Sequence, residues 1–341
     1  MFNLQNRRYL GAKTKLLGKI DAILMPFLKN VKNATFFDAF AGTGVVSEYF
    51  IKKSEFSNLI INDFLYSNFA IFNGFFKFDG DFAKLEKLAK SLNLAKNISE
   101  NYYSENFGEK FFSQNDARRI GFIRDKLDFW LKNGEIYESE FWTLLASLIF
   151  SVDRTANTCG HYEAFRRGVK LVDKFKFELI SPLNLIGKNV EIYQNDTNFL
   201  AKKINQKIDV AFIDPPYNSR QYSRFYHLLE NLTQNKKPFL SGVAMKPPLE
   251  NLSEYCGIGA TLSFADLIEN LAKNSKIIVV TYNNTYNSKS TSSENKISLL
   301  QITQILQNVG KLSEFKFDFT PFNAGKTEFK NHAEMVFICE I

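Results

Sequence analysis

A doubly wound, mostly parallel α/β sheet with an antiparallel hairpin at one edge and a helical insert is the architecture this sequence predicts. Short apolar, β-rich runs alternate with stretches of helical periodicity towards both ends of the chain, the pattern of parallel strands buried on both faces. The last two such runs have no helix between them, which suggests an antiparallel edge pair. Between Phe64 and about Gly187 the alternation stops and helical periodicity takes over.

Taken in order, the strands are expected at Thr35–Phe40, Leu59–Asn62, Val190–Tyr193, Asp209–Ile213 and Lys276–Tyr282. The closing pair is expected at Phe315–Phe319 and Met335–Cys339. Helical patterns at Lys15–Leu28, Gly44–Lys52, Phe225–Leu232, Ser263–Lys273 and Lys296–Val309 separate them. Right-handed crossovers between parallel strands then give a doubly wound sheet. The insert, residues 64–187, carries helical patterns at Asp81–Leu94, Asp116–Lys132 and Glu138–Phe150, followed by a polar, basic stretch. Residues 1–63 and 188–341 are expected to form the catalytic domain. Insertions after a strand's carboxyl end overhang the ligand crevice of an open sheet, so the insert is expected to grasp a substrate. A second polar stretch, Lys236–Gly259, is rich in proline and glycine and is expected to be irregular.

Composition narrows the class. The 341 residues, 45% hydrophobic and 23% charged, are those of an ordinary globular protein. No apolar stretch approaches the ~18 residues of a membrane span. The basic N-terminus lacks the apolar core of a signal peptide, so a cytoplasmic protein is expected. Three cysteines, Cys159, Cys256 and Cys339, stand far apart, and the three histidines are equally scattered. Neither a disulfide framework nor a metal site is expected. The net charge of +7 favours a polyanionic partner.

Three segments carry chemistry. The first strand runs into Asp38-Ala39-Phe40-Ala41-Gly42-Thr43-Gly44. Small residues in a strand-to-helix turn let a ligand approach the backbone. No third glycine follows, so the turn is shorter than the dinucleotide fingerprint, and a tight turn without a ligand fits the same residues. The second strand ends in Asn62-Asp63, where a carboxylate can bind ribose hydroxyls or cap a helix. The fourth runs into Asp214-Pro215-Pro216-Tyr217. Two prolines fix two φ angles and remove two N–H donors, leaving a rigid set of acceptors beside an aromatic ring. Such a set suits an N–H donor on a flat ring, such as the exocyclic amino group of a base.

The pair DAFAGTG (Asp38–Gly44) and DPPY (Asp214–Tyr217), in that order, resembles the Dam-like (alpha-class) DNA adenine-N6 methyltransferases, including those of type II restriction–modification systems. Tyr9-Leu10-Gly11-Ala12-Lys13 is similar to the family's N-terminal cofactor motif. Leu144–Leu148, Ala156-Asn157-Thr158 and Tyr162–Phe165 resemble the insert of one restriction-associated branch, as DPPYNSRQY (Asp214–Tyr222) with Tyr226-His227 resembles its extended catalytic loop. The resemblance implies a Rossmann-like fold, S-adenosyl-L-methionine as cofactor and double-stranded DNA as substrate. It implies that Tyr9, Gly11 and Lys13 contact the cofactor. Asp38, Phe40, Gly42 and Gly44 would hold its methionine portion, Asp63 its ribose and Asp196 its adenine. Asp214 would bridge cofactor and target amine, with Pro215, Pro216 and Tyr217 completing the catalytic loop. Tyr9 departs from the Trp of several relatives but keeps a stacking ring.

Arg154, Arg166, Arg167, Asn218, Arg220, Tyr222 and Arg224 are the candidate DNA contacts, although a charge run such as Glu163–Lys176 is also what a solvated face looks like. Arg118 and Arg119 read as surface charge. A cognate restriction endonuclease is a possible partner, and a monomer or weak dimer is expected. Other readings stay open: RNA adenine or cytosine-N4 methylation, and an inactive DNA-binding scaffold. A nucleotide hydrolase is disfavoured: Gly325-Lys326-Thr327 has Thr320 where a phosphate loop needs glycine, and Gly11–Thr14 lacks glycine before its lysine.

Overall fold

The computed structural model describes residues 4, 7, 9, 11, 13–29, 31–284, 294–318 and 333–341. Gly325-Lys326-Thr327, Thr320, Phe319, Leu10 and Ala12 lie outside the described residues. The chain forms two compact units. One comprises Lys13–Phe64, Gly187–Gln221 and Leu252–Ile341, and the other Met1–Ala12, Leu65–Ile186 and Tyr222–Asn251.

The first unit is built on a sheet whose strands, among the described residues, are β1 (Ala34–Asp38), β2 (Phe56–Asp63), β3 (Asn189–Gln194), β4 (Ile208–Ile213), β5 (Ser275–Asn283), β6 (Lys311–Asp318) and β7 (Ala333–Glu340). Their spatial order is β3-β2-β1-β4-β5-β7-β6. The first five are parallel, and β7 runs antiparallel to both β5 and β6. The sheet is therefore doubly wound with an antiparallel edge pair. Between Ala34 and Asp38, β1 consists of one β-branched and two aromatic residues, and all five of its residues are buried. On one face Phe37, Ala211, Ile213, Ile278 and Phe337 pack with Phe264, Leu267 and Ile268 of the helix Ala260–Ala272. Phe36 belongs to the opposite face, where its ring stacks on Phe50 at 4.7 Å and meets Phe56 edge-on at 5.4 Å.

Two expected helices are broken. Lys15–Leu28 is an α-helix only over Leu17–Leu24 and then tightens to a 3-10 turn, Met25–Leu28. Pro26 lacks the N–H that would continue the α ladder. Phe225–Leu232 is two short helices, Tyr222–Phe225 and His227–Gln234, which meet at Tyr226. The Lys236–Gly259 stretch contains one 3-10 turn, Glu254–Cys256.

The second unit is helical, with helices at Tyr66–Phe76, Phe82–Leu94, Tyr102–Phe107, Gln114–Lys132 and Glu138–Thr155 besides the two that flank Tyr226. Tyr66–Phe76 carries little amphipathic signal because it is buried on most sides, with Ala70, Ile71, Phe72, Phe75 and Phe76 all inside. Asp81, Asn101 and Ser113 each accept a backbone N–H at the start of the helix that follows, satisfying donors that a helix end leaves open. None of the described helices is long and apolar enough to cross a membrane.

Candidate active site

Because β1 to β5 are parallel, their carboxyl ends share one edge, where an open α/β sheet places its ligands. Asp38 closes β1 and pairs with Phe212 of β4, while Ala39 N–H bonds to the Phe212 carbonyl at 2.9 Å. The glycine turn and the Asp-Pro-Pro-Tyr loop therefore start side by side. Gly42 and Gly44 take positive φ values of 55° and 82°, which favour glycine, and Gly44 precedes the helix Val45–Ile51. Asp63 Oδ2 at the tip of β2 accepts the Gly42 N–H at 2.7 Å. Asn62, fully buried, donates to the carbonyls of Ala39 and Asn195 and to Thr197 Oγ1, which joins three strand ends. Phe40 meets Tyr255 edge-on at 5.0 Å.

Asp38 is the most informative group of the turn. It is 1% exposed, and its Oδ2 accepts a 2.6 Å hydrogen bond from Ser47 Oγ. Its Oδ1 is buried without a hydrogen-bond partner among the described residues. Burial pushes this carboxyl up to about 7, with the charges of Asp214 and Asp63 adding to the shift and the Ser47 bond opposing it. A buried acceptor with no donor is costly, so the position suits a ligand that brings a cationic N–H.

At the tip of β4 a buried cluster gathers around Lys13. Its Nζ lies 2.8 Å from Asp214 Oδ1 and 3.1 Å from Glu334 Oε1. It also donates to Tyr217 Oη at 2.8 Å. The Tyr217 hydroxyl faces Asp214 Oδ1 at 2.7 Å and Glu334 Oε1 at 2.5 Å. Thr281 of β5 donates to Asp214 Oδ1 at 2.8 Å. Burial pushes the Asp214 carboxyl up and Glu334 adds to the rise, while Lys13 chiefly opposes it. Burial works against the charge of Lys13, yet Asp214 and Glu334 outweigh it and hold the ammonium above its ordinary value. Burial, then the two carboxylates, raises the Tyr217 phenol well above its ordinary range. The loop itself is pinned. Tyr282 donates to the Tyr217 carbonyl at 3.0 Å and packs on its ring at 4.5 Å, while Ser253 and Gln221 exchange a reciprocal pair of hydrogen bonds. Pro215 is buried, and Pro216 and Tyr217 are half-buried.

Thus Lys13, Asp38, Phe40, Gly42, Gly44, Asp63 and Asp214–Tyr217 all belong to the sheet unit. Asp196 does too, capping the helix Thr197–Ala201 through a 3.0 Å bond from Phe199 N–H. Tyr9 and Gly11 fall in the helical unit. There Tyr9 stacks on Tyr226 at 4.8 Å and on Tyr222 at 5.4 Å. Among the candidate DNA contacts, Arg154, Arg166, Arg167 and Arg220 are exposed. Arg154 pairs with Glu178, and Arg224 donates to the Pro247 carbonyl at 2.7 Å, bracing the polar stretch. Asn218 Oδ1 accepts the Arg220 N–H. Arg118 pairs with Glu100, and Arg119 donates to the carbonyls of Leu92, Asn93 and Ala95.

Sequence reasoning missed Ser47, Thr281, Tyr282 and Glu334. Glu334 left one trace, a carboxylate opening the otherwise apolar run Met335–Cys339.

A glycine turn, an acidic tip on the next strand and a proline-stiffened acid–aromatic loop thus share one edge of the sheet, the arrangement of an α/β protein that binds a nucleotide cofactor there. Residues 9–286 match the model of the D12 class N6 adenine-specific DNA methyltransferases, and the chain belongs to that family. It is 31% identical to the modification methylase StsI of Streptococcus sanguinis over 81% of this chain and 44% of that one. It is 30% identical to the type II methyltransferase M.FokI of Planomicrobium okeanokoites, over 96% of this chain and 50% of the other. It is 28% identical to the type II methyltransferase M.NlaIII of Neisseria lactamica over 95% of both chains. The chain thus spans about half the length of the first two relatives and nearly all of the third.

The residues present fit S-adenosylmethionine. The partnerless Asp38 Oδ1 suits the amino group of a bound amino acid, and Gly42 and Gly44 keep side chains out of the turn. Asp63 and Asp196 stand at the tips of the next two strands, where ribose and adenine would follow.

Proposed function

We propose that the chain transfers a methyl group from S-adenosylmethionine to N6 of adenine at a specific site in duplex DNA, beside a restriction endonuclease of the same specificity. The observation that carries this reading is the Asp214–Tyr217 loop, pinned at the tip of β4 next to the partnerless carboxylate oxygen of Asp38. The target nitrogen is buried in the duplex, so the base must leave the stack, at a cost of a few kcal/mol. Half-buried Tyr217 stacks on the flipped base. The Asp214 carboxylate and the Pro215 carbonyl accept the two N6 hydrogens, which turns the nitrogen lone pair towards the methyl group; as the N6–C bond forms the S–C bond breaks, and one N6 hydrogen then leaves as a proton to solvent. S-adenosylmethionine supplies an activated methyl on a cationic sulfur, and the protein's part is orientation and electrostatics. The helical unit, with Arg166 and Arg167 exposed, is assigned to DNA recognition, and Arg220 of the catalytic loop to a contact beside the target.

The purified chain, incubated with labelled methyl donor and mixed-sequence duplex DNA, should yield N6-methyladenine on nucleoside digestion. RNA of the same sequence should stay unlabelled, and sequencing of the modified DNA should return one motif. Asp214→Ala should cut the rate by about 100- to 1000-fold, the cost of removing a group that acts on developing charge. N4-methylcytosine as the product, or an Asp214→Ala protein of full activity, would overturn the proposal.

A further inference from the structure

Lys13 Nζ meets Asp214 Oδ1 at 2.8 Å, Glu334 Oε1 at 3.1 Å and Tyr217 Oη at 2.8 Å. Tyr217 has one hydrogen but faces two carboxylate oxygens, so it can donate to only one of them at a time. With both carboxylates ionised the cluster has one ammonium against two negative charges, and one acid–hydroxyl contact lacks a proton. A Lys13–Asp214 pair alone would be neutral, with Asp214 quenched by its partner. Glu334, 3% exposed on β7, supplies the extra charge.

From this geometry we infer that Glu334 is a positioning residue whose charge offsets that of Lys13 beside Asp214, so that the methyl-transfer pocket prefers a cationic sulfonium over a neutral thioether. The inference rests on the proposed use of S-adenosylmethionine. Glu334 holds Lys13 and Tyr217 in place against Asp214 and offsets the lysine charge. The Asp214 carboxylate is thereby left to act on the cation beside it. Once the methyl has gone, the sulfur is neutral and that attraction disappears, which favours exchange of the spent cofactor.

The test is calorimetric binding of S-adenosylmethionine and S-adenosylhomocysteine to the wild-type chain, Glu334→Gln and Glu334→Asp. The two ligands share their amino-acid and nucleoside parts, so their affinity ratio isolates the charge on sulfur. Glu334→Gln should weaken S-adenosylmethionine by about tenfold or more, as expected for a unit charge removed from a buried site, and S-adenosylhomocysteine by less than about threefold. Glu334→Asp should keep the wild-type ratio. Equal losses for both ligands in Glu334→Gln, or an Asp variant as unselective as the Gln one, would overturn the inference. Should the Gln variant fail to fold, the wild type still decides. Acidification protonates the Asp214 carboxyl, which burial pushes up, so preference for the sulfonium should fade as pH falls, and a ratio constant from pH 8 to pH 5 would overturn the idea. If neither ligand binds the wild type, the proposed function fails instead.

Discussion

At the level of single side chains, the partnerless oxygen of Asp38 makes a prediction about protons. Its carboxyl, raised to about 7 by burial, is largely protonated at pH 6 in the free protein. A bound ammonium favours the ionised form, so binding must expel that proton. Cofactor affinity should therefore climb between pH 5 and 7 and level off above, and calorimetry at pH 6 in buffers of different ionisation enthalpy should detect proton release. Asp38→Asn keeps an acceptor but cannot titrate, and should remove this part of the pH dependence. For stability the sign is opposite. A carboxyl harder to ionise in the fold than in the unfolded chain favours the fold below the usual carboxylate range, and that contribution is lost as pH rises to about 7.

Among secondary-structure elements, the helical unit depends on close approach between Tyr66–Phe76 and Glu138–Thr155. Gly74 permits it. A Cβ there would lie 2.5 Å from the Trp142 carbonyl oxygen and 2.9 Å from Ala146 Cβ. Backbone cannot yield as a flexible side chain does, so Gly74→Ala should destabilise the protein by about 1–3 kcal/mol despite the better helix propensity of alanine. Thermal or urea unfolding measures this, and a variant as stable as wild type would show that the helices can separate cheaply. In the sheet unit, Asn62 plays the corresponding part without a close approach, its buried amide joining the ends of β1, β2 and β3 by hydrogen bonds.

For the protein entire, the net charge of +7 bears on association with DNA. Affinity for the proposed site should fall linearly on a logarithmic scale with added salt. Replacing exposed Arg166 and Arg167 together by Gln should reduce that slope by about two if both contact phosphate. An unchanged slope would reassign them to a solvated face. Arg154 and Arg224 make weaker candidates, because the first pairs with Glu178 and the second braces the Pro247 carbonyl.

The strands, the glycine turn, the acidic tip at Asp63 and the stiff Asp-Pro-Pro-Tyr loop were legible in the amino-acid order because each depends on its immediate neighbours. Apolar runs specify buried strands, glycine allows positive φ, and two prolines stiffen a loop wherever it falls. The break at Pro26 was missed, because the apolar periodicity of Lys15–Leu28 runs on through it. Glu334 was another matter. It lies 117 residues from the Tyr217 hydroxyl it meets, and only the antiparallel course of β7 brings its first residues to the edge where the parallel strands end. Nor could local sequence show that the Asp38 carboxyl is pushed up to about 7, since that shift comes from burial and from the carboxylates of Asp214 and Asp63 at the ends of two other strands. Chain order thus settled which local shapes form, while long-range pairing settled which charges share a low-dielectric pocket, because electrostatic energy depends on distance in space and on exclusion of water.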